Sequence, residues 1–81
     1  MNNVRRNALG KLVIKLYEIN EELENIYCDE EEYFNNIPEN LKCGERAYQS
    51  EEAISVLQDT SSLIEDVISN LDDVISYWYF T

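Results

Sequence analysis

The sequence predicts an all-α protein: two long antiparallel helices that form a coiled-coil-like helical hairpin, with two hairpins dimerising into a four-helix bundle. Two stretches of about thirty residues each repeat apolar positions at alternating spacings of three and four, which is the pattern of helices packed side by side. The 81 residues include only two glycines and one proline, which leaves few turn signals. We therefore expect a single helical-hairpin domain over residues 1–81.

The first predicted helix covers about residues 3–34 and carries the more regular stripe. Its heptad positions are Leu9, Leu12, Leu16, Ile19, Leu23, Ile26, Glu30 and Tyr33. Glu30 is the one interruption. Val13, Tyr27 and Phe34 widen the stripe, which is more typical of a bundle than of a two-stranded coiled coil.

The second predicted helix covers about residues 47–79, after a loop at 35–46 that contains Pro38 and Gly44. Its heptad positions are Ala47, Ser50, Ile54, Leu57, Ser61, Ile64, Ile68, Leu71, Ile75 and Trp78. Pro38 cannot continue the first helix, and Gly44 offers a stop or a bend. Because the connector is short, the helices should run antiparallel. Because a lone hairpin cannot cover two wide stripes, we expect a homodimer.

Composition excludes several classes of protein. The hydrophobic content of 44% is too high for a disordered acidic tail. There is no histidine, so Ser–His–Asp and Cys–His catalysis are excluded. We find no apolar run long enough for a membrane span and no apolar block typical of a signal peptide, so we expect a cytosolic protein without a membrane partner.

The charge is strongly acidic, with 17 Asp and Glu against 6 Lys and Arg, a net charge of −11. Such a molecule repels nucleic acid, so no direct nucleic-acid partner is expected. A protein with a basic surface is the partner that this charge favours.

Cys28 and Cys43 are the two cysteines. We expect reduced thiols, with a disulfide as the alternative where the protein meets an oxidant. Two sulfurs without histidine do not make a zinc site within one chain. The sequence predicts no metal site, no cofactor and no enzymatic activity.

Three segments resemble a group of short acidic helical-hairpin proteins from Gram-positive bacteria and their phages. They are "NNVRRNALGKLVIKLYEINEELE", "DEEEYFNNIPENL" and "GERAYQSEEAISVLQ". The group commonly shows N-[I/L]-P-E-x-L, then E-R, then E-x-A-I. The matching residues here are Asn36, Ile37, Pro38, Glu39, Leu41, Glu45, Arg46, Glu51, Ala53 and Ile54. The resemblance implies a helical hairpin of phage or mobile-element origin, and it implies no activity. The second helix departs from the group's Glu-rich repeats.

Carboxylates of the first helix are one candidate partner-binding surface. They are Glu21, Glu22, Glu24, Asp29, Glu30, Glu31 and Glu32. Adjacent residues on a helix point about 100° apart, so Asp29–Glu32 fan out and do not converge on a metal. They are either the solvated face of a coiled coil or an imitation of phosphates. Seventeen acids over about 45 Å give one per about 2.6 Å, against about 1.7 Å for duplex DNA.

The aromatic C-terminal segment is the second candidate partner-binding surface, formed by Tyr77, Trp78, Tyr79 and Phe80. Exposed aromatics of this kind anchor protein interfaces. Alternatively, they cap the bundle. The leading functional hypothesis is an inhibitor of a host protein, most plausibly a defence or nucleic-acid-acting factor with a basic surface. The competing hypothesis is a structural or accessory dimeric coiled-coil protein without a single target.

Overall fold

The computed structural model describes residues 2–77, and these residues form a hairpin of two long helices. Helix α1 spans Asn3–Asn35 and helix α2 spans Glu45–Tyr77. Each has 33 residues, or about 50 Å at 1.5 Å per residue. The Cα atoms extend over 61 × 15 × 14 Å. The predicted all-α class and the pair of long helices are confirmed.

Local capping fixes the ends of α1. The side chain of Asn2 accepts a hydrogen bond from the backbone N–H of Arg5 at 2.9 Å, which satisfies one of the free donors of the first turn. At the other end, the N–H of Asn36 donates to the carbonyls of Glu32 and Tyr33 at 3.1 and 3.2 Å. The helix therefore closes just before Pro38, which has no N–H to continue it.

The connector is a tight turn built around Pro38. A 3-10 helix covers Glu39–Leu41, and the Leu41 N–H donates to the Pro38 carbonyl at 2.8 Å. Gly44 then precedes α2 and accepts from the N–H of Tyr48 at 3.1 Å. A Cβ atom at Gly44 would lie 3.1 Å from the Leu41 carbonyl oxygen, so the close approach of these backbones favours glycine.

The interface between the helices is thin. Buried apolar side chains among the described residues are Val13, Ala47 and Ile68. Asn20 and Ser50 are buried polar residues of the same interface. Ser61, one of the predicted heptad positions of α2, donates its hydroxyl to Asn20 Oδ1 at 2.8 Å. This pair is a polar layer in the middle of the hairpin.

The predicted apolar stripe of α2 lies at the interface between the helices, whereas that of α1 lies there only in part. In α2, every predicted heptad position from Ala47 to Ile75 is buried or half-buried. In α1, half of the predicted positions face outward, namely Leu12, Ile19, Ile26 and Tyr33, which are 48–57% exposed. Their places against α2 are taken by Val13, Asn20, Tyr27 and Phe34, each one residue further along. The physical reason is that α1 is apolar over a wide arc, and α2 covers only one side of it.

No helix within the described part of the chain is long and apolar enough to cross a membrane.

Candidate functional site

The predicted carboxylates of α1 surround the helix. Glu21, Glu22 and Glu24 are exposed, as are Asp29, Glu31 and Glu32, while Glu30 is half-buried beside α2. Among residues 2–77, no group of three or more Cys, Asp or Glu side chains is placed to hold a metal ion. The cluster is therefore spread around α1 and does not form one binding point.

Helix α2 concentrates its acids in a way that the sequence analysis missed. Every seventh residue from 45 to 73 is acidic, which we call the acidic stripe: Glu45, Glu52, Asp59, Asp66 and Asp73. The other three acids of α2, Glu51, Glu65 and Asp72, each lie one position before a stripe residue. All eight side chains are exposed. The seven-residue period of these acids is a local property of the sequence, so it could be recognised without a structure.

The acidic stripe has a regular spacing along the rod. Seven residues of helix rise by about 10.5 Å, which is close to three phosphate steps of about 3.4 Å along one DNA strand. The stripe extends over about 42 Å on the same estimate. It is thus an ordered line of negative charge on one rigid element.

A hydrogen-bonded cluster joins the two helices beside the predicted acids. The hydroxyl of Tyr27 donates to Glu31 Oε2 at 2.7 Å and accepts from Gln58 Nε2 at 2.9 Å. The hydrogen bond to Glu31 raises the pKa of Tyr27, and partial burial and the negative charge of Glu31 act in the same direction. The cluster orients Glu31. Sequence reasoning missed it, because Tyr27 and Gln58 are 31 residues apart in the chain.

A shallow open groove of about 330 Å³ lies next to this cluster. Its walls come from both helices: Glu24, Tyr27, Cys28, Gln58, Ser61 and Ser62. It contains hydroxyl, amide and carboxylate groups, and its exposed thiol has no histidine beside it, since the chain has none. The groove offers hydrogen-bonding groups to a partner, but no pairing of a nucleophile with a general base of the Ser–His or Cys–His kind.

Most of the predicted aromatic anchor lies beyond the residues that the structure describes. Tyr77 is the last residue of α2. Trp78, Tyr79 and Phe80 lie outside the described residues. Their role in binding stays a prediction.

No protein-family model, curated protein or solved structure matches the chain.

Proposed function

We propose that the protein is a small acidic binder that blocks a host protein with a basic surface, most plausibly a defence or nucleic-acid-acting factor. We further propose that a phage or mobile element encodes it and that it acts as a homodimer in the bacterial cytoplasm. The observation that carries the proposal is the acidic stripe of α2, five carboxylates at a constant spacing with all side chains exposed.

Charge balance supports this proposal. The 6 basic residues can neutralise at most 6 of the 17 acids, so a net charge of −11 remains for a partner to meet. Negative potential over an elongated surface speeds encounter with a positively charged protein and disfavours nucleic acid itself. Two copies side by side would carry twice 17 acids over about 50 Å, or one per about 1.5 Å, close to the about 1.7 Å of duplex DNA.

The second candidate function is a structural or accessory dimeric coiled-coil protein without a single target. It is favoured by the heptad pattern over both helices and by the half-exposed apolar residues of α1. On this hypothesis the carboxylates only keep the rod soluble, and their neutralisation changes no binding.

A capture experiment with matched variants separates the two functions. Tagged protein is incubated with host lysate at low and high salt, and retained proteins are identified by mass spectrometry. One variant neutralises part of the acidic stripe (E52Q/D59N/D66N/D73N), and the other neutralises the acids of α1 (D29N/E30Q/E31Q/E32Q). Both variants carry the same net charge, so a loss confined to one of them reports on position and not on total charge.

The inhibitor proposal expects one basic protein that is lost at high salt and lost by the stripe variant. Purified protein should then displace duplex DNA from the captured factor in a fluorescence anisotropy titration. If capture of the basic protein is instead lost with the Tyr79→Ala or Phe80→Ala variant, binding is assigned to the aromatic segment. Retention of every partner by all variants, or of none by the parent protein, would favour the structural role.

A further inference from the structure

The hairpin has one side that is apolar over about 31 Å of its length. We call it the apolar face, and it comprises Leu12, Ile19, Ile26 and Tyr33 of α1 with Ala53, Val56, Thr60, Leu63, Val67 and Val74 of α2. Seven of these ten side chains are 45–63% exposed. The eight acids of α2 lie in other columns of that helix, so the acidic stripe and the apolar face are separate surfaces.

The α1 residues and the α2 residues of the apolar face extend over the same length, and they lie at the same level along the rod. Leu12 to Tyr33 and Ala53 to Val74 each cover 22 residues, a rise of about 31 Å between the first and last Cα atoms. The contacts Asn20–Ser61 and Tyr27–Gln58 set how the antiparallel helices align. With that alignment, Leu12 lies near the level of Val74, and Tyr33 near the level of Ala53.

We propose that a second copy of this chain covers the apolar face, with α1 packed antiparallel against α1 of that copy. This inference rests on the four-helix bundle of the proposed function and names its surface and orientation. The occupant must present apolar residues at heptad spacing along about 31 Å of straight helix. A second copy presents the same two columns, and a two-fold axis brings them face to face.

The exposed area agrees with what a dimer of this kind needs. The chain exposes 6370 Å², whereas a compact monomer of this mass exposes about 5,000 Å². The excess of about 1,300 Å² per chain is larger than the about 800 Å² that each partner buries in a standard interface. The hairpin therefore has surface to spare for a second copy.

Charge at the edge of the face selects the antiparallel orientation. When Ile19 is set opposite Ile26 of the second copy, Leu12 meets its Tyr33 and Lys15 comes opposite its Asp29. That gives two opposite-charge pairs per dimer, at the expense of one contact between the two Glu22 carboxylates at the axis. The other face-to-face two-fold arrangement, with the axis along the rod, would set α1 against α2 of the second copy, so neither Lys15–Asp29 pair would form.

The first test uses the full chain and measures mass by size-exclusion chromatography with light scattering. We expect a dimer for the parent protein. Ile26→Glu should raise the dissociation constant by about a hundredfold or more, because a charge would be buried without a partner. Ile14→Glu is the matched control, since Ile14 is 60% exposed against 57% for Ile26, but lies beside Ile75 in a different groove. It should remain a dimer.

The second test fixes orientation by cross-linking in a C28S/C43S background. Ile19→Cys and Ile26→Cys proteins, one of them carrying a tag, are mixed and oxidised. Antiparallel packing gives a covalent heterodimer from the mixture and little product from either protein alone. Cross-linking of each protein with itself, or no covalent product from the mixture, would overturn the antiparallel packing of α1 against α1.

The outcomes separate this inference from the functional proposals. A parent protein that stays monomeric at high concentration overturns both the bundle and its face. A dimer that survives Ile26→Glu, with helicity intact by circular dichroism, overturns the face and leaves a bundle of another geometry. Neither outcome bears on capture of a basic host protein by the acidic stripe, which is measured separately.

Discussion

Two serines of α2, the buried Ser50 and the half-buried Ser61, should respond in opposite directions to the same substitution. Ser61 donates to Asn20 Oδ1 at 2.8 Å, and Asn20 is only 8% exposed. Ser50 is 3% exposed, and its hydroxyl has no hydrogen-bond partner among the described residues. Alanine therefore breaks a satisfied pair at Ser61 and removes an unsatisfied group at Ser50.

The two magnitudes follow from burial and pairing. Ser61→Ala leaves Asn20 Oδ1 without its donor, and after a small gain in helix propensity we expect a loss of about 1–2 kcal/mol in the free energy of unfolding. Ser50→Ala removes a buried hydroxyl whose desolvation nothing offsets, so we expect a gain of about 1–2 kcal/mol. For a domain of this size, that gap of about 2–4 kcal/mol separates the two melting temperatures by about 12–24 °C.

The assay is thermal and urea unfolding followed by circular dichroism at 222 nm, with all variants at one protein concentration because the proposed dimerisation would make apparent stability depend on concentration. Ser62→Ala is the control, since Ser62 is exposed and adjacent to Ser61. It should change stability only by the propensity difference of about 0.5 kcal/mol. A cycle with Asn20→Ala and the double variant isolates the pair energy. If Ser50→Ala and Ser61→Ala shift stability in the same direction, the reasoning is refuted.

Three further perturbations test other parts of the molecule. The pKa of Tyr27 is raised from its ordinary 10.0, so the stability that its protonated hydroxyl contributes is present below pH 10 and is lost as the pH rises above that value. Unfolding measured between about pH 9 and pH 11 should show this loss of stability in the parent protein and in Tyr17→Phe, but not in Tyr27→Phe. Equal stability profiles for all three proteins would contradict this prediction. Raising NaCl from about 10 mM to 0.5 M should raise the melting temperature, because screening weakens the repulsion among unmatched acids; a fall would mean that attractive pairs dominate. Asn2→Ala should cost about 1 kcal/mol through loss of the hydrogen bond to the Arg5 N–H, and Asn2→Asp should restore it; urea midpoints that leave the alanine variant unchanged would show that this cap adds no stability.

The helices were predictable because their period is a local property of the sequence. The alternation of three and four that placed Ile64, Ile68 and Leu71 at the interface needs no knowledge of the partner, and α2 follows it. The same pattern in α1 was ambiguous, because a wide apolar stripe suits two neighbours equally well. Val13 rather than Leu12 packs against α2 because of the side of α1 on which the second helix lies.

The candidate site was predictable only in its charge. Exposure of Asp29, Glu31 and Glu32 follows from the cost of burying unpaired carboxylates, so it could be expected without a structure. The Tyr27–Gln58 contact could not, because it depends on the axial offset of the two helices. That offset is set by many small contacts along the whole hairpin and by no single motif.

The tight turn at Pro38 and Gly44 has a kinetic consequence. Contacts next to the turn close a short loop, whereas those at the open end join residues some seventy apart, and the entropy of closing a loop grows with its length. We expect folding to start at the turn and to proceed toward the chain ends, one helical turn after another. Substitutions near Ser50 should then alter the folding rate, while those near Ile68 should mainly alter the unfolding rate. The open end of the rod would be the first part to separate and the last to form.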